Sequence, residues 1–541
     1  MSAHKHPVSA SREEWGRERS ELRGSARDEA AKAEGRAGAN EYSVVIVGSG
    51  FAGLCMAIKL LEAGIDDFVI LERADAIGGT WRDNHYPGCA CDVPAHLYSF
   101  SFFPNPDWSQ TYAPQPEIRA YIERCAAHYR LHEKVRFSAD VSAAAYDERA
   151  ATWTVHTKDG RAFTGDVLVA AIGGLSRPLV PSLPGLETFA GRTWHSAQWD
   201  HDAPLDGKTV AVIGTGASAI QFVPQLAPRV AKLHLFQRTP PWILPRQEQV
   251  FSARDKRLFR RVPGLRALHR ARLYAGHELR ALPFTIRPQL LEWLQPLALR
   301  HLHAQVKDPA LRARLTPDYV MGCKRILISN DYYPALARDN VEVVTDGIRA
   351  ITRAGVVTAD GRERAVDAIV FGTGFDVHDY IGGMKVLGRG GVDLGEAWRR
   401  DPEAYLGTMA AGFPNLFTLV GPNTGLGHNS IIFMIESQVR LVMSCLRTMR
   451  ARDAATIEPR PEVVRAFNDE MQRRLAGTVW MSGCKSWYQN AAGKNTTLWP
   501  GFTVEFAART ARMRPADYIL RRRDELPATI APDATQRGRA A

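Results

Sequence analysis

The stretch SVVIVGSGFAGLCMAIKLLEAG, residues 43–64, decides the fold of this chain. The apolar run at residues 44–47 predicts a buried strand, and the sequence after the glycines predicts a helix. Gly48 permits the tight turn, Gly50 lets the backbone approach a pyrophosphate, and Gly53 allows the helix to pack close to the strand. A plain glycine-rich turn is the alternative, but the strand–loop–helix context favours a dinucleotide-binding unit.

A second copy of this pattern, KTVAVIGTGASAIQFVPQLA, occupies residues 208–227. An apolar run again meets two glycines, Gly214 and Gly216, with Ala219 in the place of the third glycine. Units of this kind build a parallel sheet that is covered by helices on both faces. We therefore expect an α/β protein with two Rossmann-like dinucleotide-binding domains.

The two copies differ where their second strand ends. In the first copy, DFVILER at residues 67–73 ends on Glu72, whose carboxylate can accept hydrogen bonds from both ribose hydroxyls. In the second copy, KLHLFQRT at residues 232–239 ends in Arg238 and Thr239. A cation at this edge accommodates a 2′-phosphate, although Arg238 is also compatible with an ordinary surface position. The contrast predicts FAD in the first unit and NADPH in the second.

Three further apolar runs end in glycine-rich segments, at residues 165–174, 366–376 and 416–428. We expect each run to be a strand that returns to a sheet beside a cofactor crevice, with residues 423–428 near the flavin. Taken singly, each run is more typical of an ordinary buried strand followed by a turn.

Length and composition indicate a multidomain globular enzyme. The chain has 541 residues, which suggests two or three domains, and it is 45% hydrophobic and 23% charged. We expect no membrane span, because no apolar run reaches about 18 residues, and no signal peptide. Seven scattered cysteines predict no disulfide framework and favour a reducing cytoplasm.

The net charge of +11 is concentrated in one segment. Residues 251–320 contain 14 Lys or Arg against 5 Asp or Glu, an excess of 9 positive charges. Apolar residues at helical spacing, interrupted by Pro263 and Pro283, predict a helical insertion at about residues 245–320. The charge favours a solvated helical face, and a membrane-surface or anionic-ligand role is the alternative. Nucleic-acid binding is not expected, because no zinc, RRM or basic-zipper pattern occurs.

Two such domains predict a flavoprotein that is reduced by NADPH. A disulfide reductase would carry a Cys-x-x-Cys pair beside the flavin unit. The nearest pair here is Cys89 and Cys91, which is one residue too close and more typical of structural cysteines. We therefore expect the electrons to go to oxygen.

The segment FAGRTWHSAQWD, residues 189–200, resembles the fingerprint of the Baeyer–Villiger monooxygenases, Phe-x-Gly-x-x-x-His-x-x-x-Trp-Pro/Asp. The related flavin-containing monooxygenases usually lack the Trp and the final Pro/Asp. A second family pattern, GGTWRDNHYPGCACD, matches at residues 78–92, and the resemblance runs from about residue 41 to about residue 520. The matching fingerprint residues are Phe189, Gly191, His195, Trp199 and Asp200.

The resemblance implies an enzyme that uses FAD and NADPH to insert one oxygen atom from O2 next to a ketone carbonyl. The product is an ester or lactone, formed through a peroxyflavin that attacks the carbonyl carbon. The developing negative charge requires a preorganised cation, whose loss should cost about a hundred- to a thousandfold in rate. The nearest alternative is a flavin-containing monooxygenase that forms N- or S-oxides. An NADPH-binding sensor without turnover is the alternative of another class.

The resemblance also implies catalytic roles for three side chains. Arg325, in GCKRILISNDYYP, is the implied active-site cation, and Asp92 pairs with it and positions it. His195 helps to couple domain motion to catalysis in a segment that links the two domains. Without the motifs, Arg325 and Asp92 are typical of surface charges, and His195 is equally typical of a satisfied core histidine. For Phe189 and Trp199 we expect a packing role.

Two further side chains are implied to contact NADPH. Lys324 reaches the 2′-phosphate, and Trp487 lies on a mobile loop that closes over the bound cofactor, although a core Trp is an equal alternative. No metal site is expected. The candidate cofactor-binding residues are Gly48, Gly50, Gly53, Glu72, Gly79, Thr80, Trp81, Asp92, Tyr98, Gly214, Gly216, Ser218, Arg238, Thr239, Lys324 and Trp487.

These predictions divide the chain into five segments. Residues 1–40 are expected to be a disordered extension, and residues 521–541 a disordered tail. Residues 41–185 and 365–520 are expected to form the FAD-binding domain, and residues 186–364 the NADPH-binding domain with its helical insertion. The partners are a small ketone and O2, whereas neither the particular ketone nor the oligomeric state is predicted.

Overall fold

The structure is a computed structural model that describes residues 40–527. The predicted extension at residues 1–40 lies outside the described residues except for its last position. The predicted disordered tail is wrong at its start, because residues 521 and 522 complete a strand and a 3-10 turn follows at residues 523–525. The rest of that tail, from residue 528, also lies outside the described residues.

The strands are numbered in chain order. They are β1 (Glu41–Val47), β2 (Phe68–Leu71), β3 (Val135–Arg136), β4 (Val141–Asp147), β5 (Thr152–Thr157), β6 (Ala162–Ala170), β7 (Arg192–His195), β8 (Thr209–Ile213), β9 (Lys232–Phe236), β10 (Ile243–Leu244), β11 (Leu327–Ile328), β12 (Val341–Val344), β13 (Ile348–Ile351), β14 (Gly355–Thr358), β15 (Glu363–Ala365), β16 (Ala368–Phe371), β17 (Lys385–Leu387), β18 (Leu416–Thr418), β19 (Ala454–Pro459) and β20 (Tyr518–Arg522).

The α-helices are numbered in the same way. They are α1 (Phe51–Glu62), α2 (Thr80–Asp83), α3 (Gln115–His128), α4 (Ala219–Leu226), α5 (Ala253–Arg261), α6 (Leu265–Leu279), α7 (Gln295–Gln305), α8 (Pro309–Leu315), α9 (Tyr332–Leu336), α10 (Leu394–Trp398), α11 (Ile431–Ala451), α12 (Pro461–Ala476) and α13 (Thr503–Arg509).

Strand β1 lies inside the first sheet, whose order is β17-β4-β5-β6-β1-β2-β3, with β18 also beside β6. β1 pairs in parallel with β2 on one side and with β6 on the other. Val44 and Ile46 pack in one hydrophobic cluster and Val45 packs in another, since successive side chains point to opposite faces. Both faces of β1 are therefore covered, which explains its continuous apolar sequence.

The second sheet is wholly parallel and has the order β12-β9-β8-β16-β7. β9 lies beside β8 as β2 lies beside β1, so the two strand–loop–helix units are equivalent in topology. β16 pairs with both β8 and β7, which assigns residues 368–371 to this sheet. The predicted domain boundary between residues 364 and 365 is therefore wrong, because the second domain continues at least to residue 371.

The fold class is α/β with two Rossmann-like dinucleotide-binding domains, as the two glycine loops predict. The fingerprint segment is part of this fold, because β7 is the edge strand of the second sheet. Within residues 40–527, no helix is both long and apolar enough to cross a bilayer.

The two domains meet where the second family pattern packs on α4. Tyr86 Oη donates a hydrogen bond to Gln221 Oε1 at 3.0 Å, and Gln221 Nε2 donates one to the Ala90 carbonyl at 3.0 Å. Gly88 has φ +80°, and a Cβ on it would lie 2.7 Å from the Gln221 carbonyl oxygen. The tyrosine and glycine of this pattern therefore bring the first domain into direct contact with the helix that follows the second glycine loop.

The segment predicted as a helical insertion contains α5, α6, α7 and α8. On the inner face of α6, the buried Glu278 accepts hydrogen bonds from Asn429 Nδ2 at 2.9 Å and Thr503 Oγ1 at 2.6 Å. On its outer face, Leu268 and Leu279 are each 68% exposed. One buried carboxylate thus anchors the insertion to the first domain, while another side of α6 meets solvent.

Candidate active site

The first glycine loop is shaped by contacts that leave little room for side chains. Gly48 has φ +104°, and a Cβ on it would lie 2.7 Å from the Ala171 carbonyl oxygen. A Cβ on Gly53 would lie 1.9 Å from the Gly48 carbonyl oxygen. A Cβ on Gly50 would lie 3.6 Å from the Gly79 Cα and would meet no other atom of residues 40–527 within 4 Å. Gly48 and Gly53 therefore maintain the turn, whereas Gly50 and Gly79 leave backbone accessible to a ligand.

Glu72 is buried directly after β2, beside this loop. Its Oε2 accepts hydrogen bonds from Ser49 N at 3.0 Å and from Ser49 Oγ at 2.6 Å. Its Oε1 accepts hydrogen bonds from Ala74 N at 3.0 Å and from Arg82 Nη1 at 2.8 Å. These four bonds fix the carboxylate at the strand end, where the motif predicts a contact with a ribose.

Two aromatic residues pack beside the first glycine loop. Thr80 begins the short helix α2, and Trp81 on that helix is buried. Trp81 Nε1 donates a hydrogen bond to Tyr98 Oη at 3.1 Å. The Tyr98 ring in turn meets the edge of the Phe51 ring, with 5.5 Å between their centres. The predicted residues Thr80, Trp81 and Tyr98 are therefore grouped around the start of α1.

The second glycine loop repeats the tight turn but has more open space around it. Gly214 has φ +111°, and a Cβ on it would lie 2.4 Å from the Gly372 carbonyl oxygen. A Cβ on Gly216 would meet no atom of residues 40–527 within 4 Å. Ser218 is the residue that precedes α4. The loop therefore keeps its shape through Gly214 and leaves space at Gly216, where the motif predicts a pyrophosphate.

Two cations lie close together after the end of β9. The Thr239 carbonyl accepts a hydrogen bond from Thr215 Oγ1 at 3.1 Å, which connects this strand end to the second loop. Burial, and then the nearby Arg238, lower the pKa of Lys324. The Lys324 ammonium lies 4.7 Å from the centre of the Tyr319 ring, and Arg238 itself is exposed. Two neighbouring cations suit the doubly negative 2′-phosphate that the sequence predicts here.

Arg325 and Asp92 form an ion pair. Arg325 Nε donates a hydrogen bond to Asp92 Oδ2 at 3.0 Å, and Arg325 Nη2 donates to the same oxygen. The side chains are 30% and 31% exposed, so part of the guanidinium remains accessible. Asp92 raises the pKa of Arg325, and this outweighs the opposing effect of burial. The guanidinium therefore stays charged at any working pH.

Tyr488 lies beside this ion pair and was missed by the sequence analysis. Its side chain is 1% exposed, and burial raises its pKa to about 12 although the nearby Arg325 acts to lower it. The signal that could have found it is its place directly after Trp487. The phenol is therefore neutral at working pH and adds a second polar group near the guanidinium.

Two further buried groups are imidazoles, His277 on α6 and His428 at the end of the glycine-rich segment 416–428. Burial, reinforced by Arg280, lowers the pKa of His277 to about 4, and Asp92 is close enough to oppose this shift. Burial lowers the pKa of His428 to about 3, with His277 and Arg280 acting in the same direction. Both imidazoles are therefore neutral near pH 7. The sequence analysis missed His277, which no local motif marks. His428 belongs to residues 423–428, for which a position near the flavin stays a prediction.

The fingerprint glycine is required by packing. A Cβ on Gly191 would lie 2.3 Å from the Asp367 carbonyl oxygen and 2.6 Å from the Phe189 ring. Trp199 is buried and packs against the rings of Trp194 and Phe222, with centre distances of 5.9 and 5.3 Å. Phe189 packs against the hydrophobic cluster of the second sheet. Phe189 and Trp199 therefore have the packing role that we expected for them.

His195 is buried at the end of β7 and is 1% exposed. Its Nδ1 accepts a hydrogen bond from Ala197 N at 3.1 Å, so the neutral ring carries its proton on Nε2. Burial lowers the pKa of His195, and the nearby Gly374 backbone opposes the shift. Nε2 makes no hydrogen bond of ordinary geometry to a side chain or backbone group in the described part of the chain. This N–H is therefore available to a partner that is not part of the protein.

Trp487 is 45% exposed, so the alternative of a core tryptophan is wrong. It lies on the segment between the 3-10 turn at residues 479–481 and α13.

The neighbouring Cys484 forms a disulfide with Cys323, and the two Cα atoms are 6.2 Å apart. The expectation that the cysteines are unbridged is therefore wrong for this pair. Cys89 and Cys91 are buried free thiols, and burial raises the pKa of each thiol.

The residues present fit an FAD in the first domain and an NADPH in the second. Gly50 and Gly79 leave bare backbone beside a fixed carboxylate, Glu72, whereas the space at Gly216 lies near two cations. The orphaned Nε2–H of His195 provides a buried donor on the second sheet. A fold with these two sites and a charged guanidinium defines a flavin-dependent oxidoreductase that takes its electrons from a nicotinamide.

Comparisons with known proteins agree with this class. The flavin-binding monooxygenase-like family matches residues 41–380. A protein of Pseudomonas aeruginosa named Baeyer-Villiger monooxygenase is 53% identical over 90% of this chain and 92% of its own length. A protein of the same name from Streptomyces coelicolor is 49% identical over 91% of this chain and 95% of its own length. A crystal structure titled OTEMO complex with FAD and NADP superimposes with a TM-score of 0.81 at 26% identity, covering 89% of this chain and 100% of that one.

The chain belongs to the flavin-binding monooxygenase-like family, and within it to the Baeyer–Villiger monooxygenases. It is an enzyme whose substrates include O2 and a small molecule. The two alternatives, a heteroatom oxygenase and a sensor without turnover, are not favoured.

Proposed function

We propose that this enzyme, with FAD in its first domain and NADPH in its second, converts a ketone to an ester or lactone. The observation that carries the proposal is the Arg325–Asp92 ion pair, a permanently charged and partly accessible guanidinium. When bound, FAD that NADPH has reduced would activate O2, which supplies the inserted oxygen atom. The other parts of the mechanism depend on what the side chains do.

Arg325 provides the fixed positive charge that the reaction requires. Negative charge develops on oxygen at each stage, and a preorganised donor lowers the free energy of these states more than a mobile water would. Asp92 accepts hydrogen bonds from two of the guanidinium nitrogens and thereby orients the fork. The remaining guanidinium N–H groups make no hydrogen bond to other groups of residues 40–527, so they can donate to the substrate or the activated oxygen.

His195 and the fingerprint are proposed to hold one arrangement of the second domain. The Ala197 N–H fixes the tautomer by donating to Nδ1, which leaves the proton on Nε2. Nε2–H would donate a hydrogen bond to the nicotinamide cofactor when it is bound and would thereby help to hold the second domain in place. Arg238 and Lys324 would hold the 2′-phosphate of NADPH, and Glu72 would hold the ribose of the FAD.

The competing function is oxygenation of soft nitrogen or sulfur atoms with the same cofactors. That reaction uses a protonated, electrophilic oxygen and gains little from a nearby cation. A guanidinium that Asp92 holds in place therefore favours attack on a carbonyl carbon.

A substrate panel tests the proposal. The purified protein is given NADPH, air and a range of cyclic and linear ketones, with an aryl methyl sulfide as the comparison substrate. We expect esters or lactones from at least one class of ketone, identified by mass spectrometry. Sulfoxide without ester or lactone from any ketone contradicts the proposal. A yellow protein that NADPH bleaches and air reoxidises excludes a sensor without turnover.

A further inference from the structure

We propose that the Cys323–Cys484 disulfide is a positioning element of the active site, which a dithiol can open. It joins the segment that carries Lys324 and Arg325 to the loop that carries Trp487 and Tyr488. Its effect on oxygenation rests on the function proposed above, whereas its existence and its effect on the loop do not.

The Cys323 side of the bond lies next to the catalytic cation. Cys323 is fully buried and is followed directly by Lys324 and Arg325. Gly322, just before it, has φ +92°, and a Cβ there would lie 2.6 Å from the Leu291 side chain. The backbone at this point is therefore tightly confined, and the disulfide starts from a well-defined position two residues from Arg325.

The Cys484 side of the bond lies in a loop with few other attachments at that end. From Gly483 to Ser486 the hydrogen bonds found within residues 40–527 are internal to the loop, such as the one from Gln489 N to the Ser486 carbonyl at 3.2 Å. Lys485 is exposed, whereas Tyr488, three residues on, is buried, packs against Trp480 and is near enough to Arg325 to interact with its charge. The disulfide is therefore the covalent anchor of the segment that leads to Tyr488.

The far end of the loop is held by other means. Asn490 Nδ2 donates to the Arg400 carbonyl at 2.7 Å, Lys494 pairs with Asp401, and Tyr380 Oη donates to the Thr496 carbonyl at 2.8 Å. These contacts anchor residues 490–496 to the first domain. The disulfide anchors the other end to the segment of Arg325, so Trp487 and Tyr488 are held between two fixed points.

Opening the bond requires two electrons. A dithiol attacks one sulfur of the disulfide through its thiolate, then closes to its own disulfide and leaves two protein thiols. Cys484 is only half-buried, so it is the sulfur that a reagent reaches first. We expect the opened loop to leave Tyr488 less well placed near Arg325 and Trp487 less firmly held, which favours loss of activated oxygen without transfer to the ketone.

Thiol titration tests whether the bond exists in the protein. The chain has seven cysteines, of which Cys55, Cys89, Cys91, Cys125 and Cys445 are free thiols. We expect five thiols in the unfolded protein before reduction and seven after treatment with a dithiol. Seven thiols before reduction, in protein purified under air, would overturn the proposal.

Limited proteolysis tests the positioning role without using activity. Trypsin is applied to holoenzyme before and after dithiol treatment, and to the variant Cys484→Ser, and cleavage after Lys485 is followed by mass spectrometry. We expect cleavage about tenfold faster when the bond is open, since the loop then opens locally. Cys445→Ala is the control variant, because it removes a buried free thiol on α11. An unchanged cleavage rate at Lys485 in both reduced protein and Cys484→Ser would overturn the positioning role.

The coupling ratio, ester formed per NADPH consumed, completes the test. For reduced wild type and Cys484→Ser we expect a severalfold lower ratio with more hydrogen peroxide, at an unchanged FAD content. Reoxidation of the wild type should restore the ratio, which separates the effect from misfolding of a variant. A ratio that does not respond to reduction overturns the positioning role. If no ketone yields an ester even in oxidised wild type, the proposed function fails, while the thiol count and the cleavage rate still decide the loop's attachment.

Discussion

The two dinucleotide-binding units of this enzyme have the same kind of glycine loop, but the residue at the end of their second strand is held differently. Glu72 in the first unit is 4% exposed and accepts four hydrogen bonds from the protein. Arg238 in the second unit is exposed, and no hydrogen bond or ion pair of its side chain is found in the described part of the chain. The first site is already organised by the protein, whereas the second is more open and exposes Arg238 to solvent.

This difference suggests how one chain binds two similar cofactors in different ways. A preorganised, buried site lowers the entropy cost of binding and suits a cofactor that remains bound through many cycles. A more open site with an exposed cation suits a cofactor that must bind and leave in each cycle, and it selects by charge. We infer that FAD is retained and that NADPH exchanges.

Matched alanine substitutions in the two glycine loops should give the largest difference between the two cofactor sites. Gly48→Ala places a Cβ 2.7 Å from the Ala171 carbonyl oxygen in a residue with φ +104°, so we expect loss of most bound FAD. Gly216→Ala adds a Cβ in open space, so FAD should remain while the KM for NADPH rises. The flavin absorbance per chain of the purified proteins measures the difference. Full flavin content in Gly48→Ala would contradict the assignment of the first loop.

Removing the exposed cation Arg238 should reduce the preference of the enzyme for NADPH over NADH. Charge-assisted hydrogen bonds contribute about 1.5–3 kcal/mol each, so Arg238→Ala should lower kcat/KM for NADPH by about ten- to a hundredfold. The value for NADH should change little, because NADH lacks the phosphate. Arg257→Ala, on the exposed helix α5, is the control for loss of one positive charge. An equal decrease of kcat/KM for NADPH and for NADH would show that Arg238 does not bind the 2′-phosphate.

The smallest expected effect is a pH dependence that comes from Lys324. Burial and Arg238 lower its pKa, so with rising pH it loses its proton earlier than an ordinary lysine with a pKa of 10.5. The ammonium is present below this pKa, and therefore kcat/KM for NADPH should fall as the pH rises through it. In Arg238→Ala the repulsion is absent, so the fall should move to higher pH. The profile for NADH is the control, and an identical fall there would exclude Lys324 as the cause.

Much of each unit could be predicted from the sequence, because its contacts are local. The spacing of Gly48, Gly50 and Gly53 sets contacts within one turn, and Glu72 follows the next strand along the chain. The hydrogen bonds of Glu72 with Ser49 then need only the pairing of β1 with β2, which the strand–loop–helix pattern implies.

The contacts that the sequence did not predict join distant segments. β16 reaches the second sheet from the far side of the helical insertion, so its apolar sequence identifies a strand but not the sheet it joins. Cys323 and Cys484 are 161 residues apart, and scattered spacing does not reveal a pair. Tyr488 becomes a neighbour of Arg325 only through the folding of the same loop. In each case tertiary packing decides the contact.

Measuring ester formation and NADPH oxidation together in Arg325→Ala tests the central claim most directly. Asp92 remains in this variant, and neither glycine loop is altered, so both cofactors should still bind. The account predicts continued NADPH oxidation, with oxygen released as hydrogen peroxide, and about a hundred- to a thousandfold less ester. Ester formation near the wild-type rate would contradict the role of the guanidinium and, with it, the proposed mechanism.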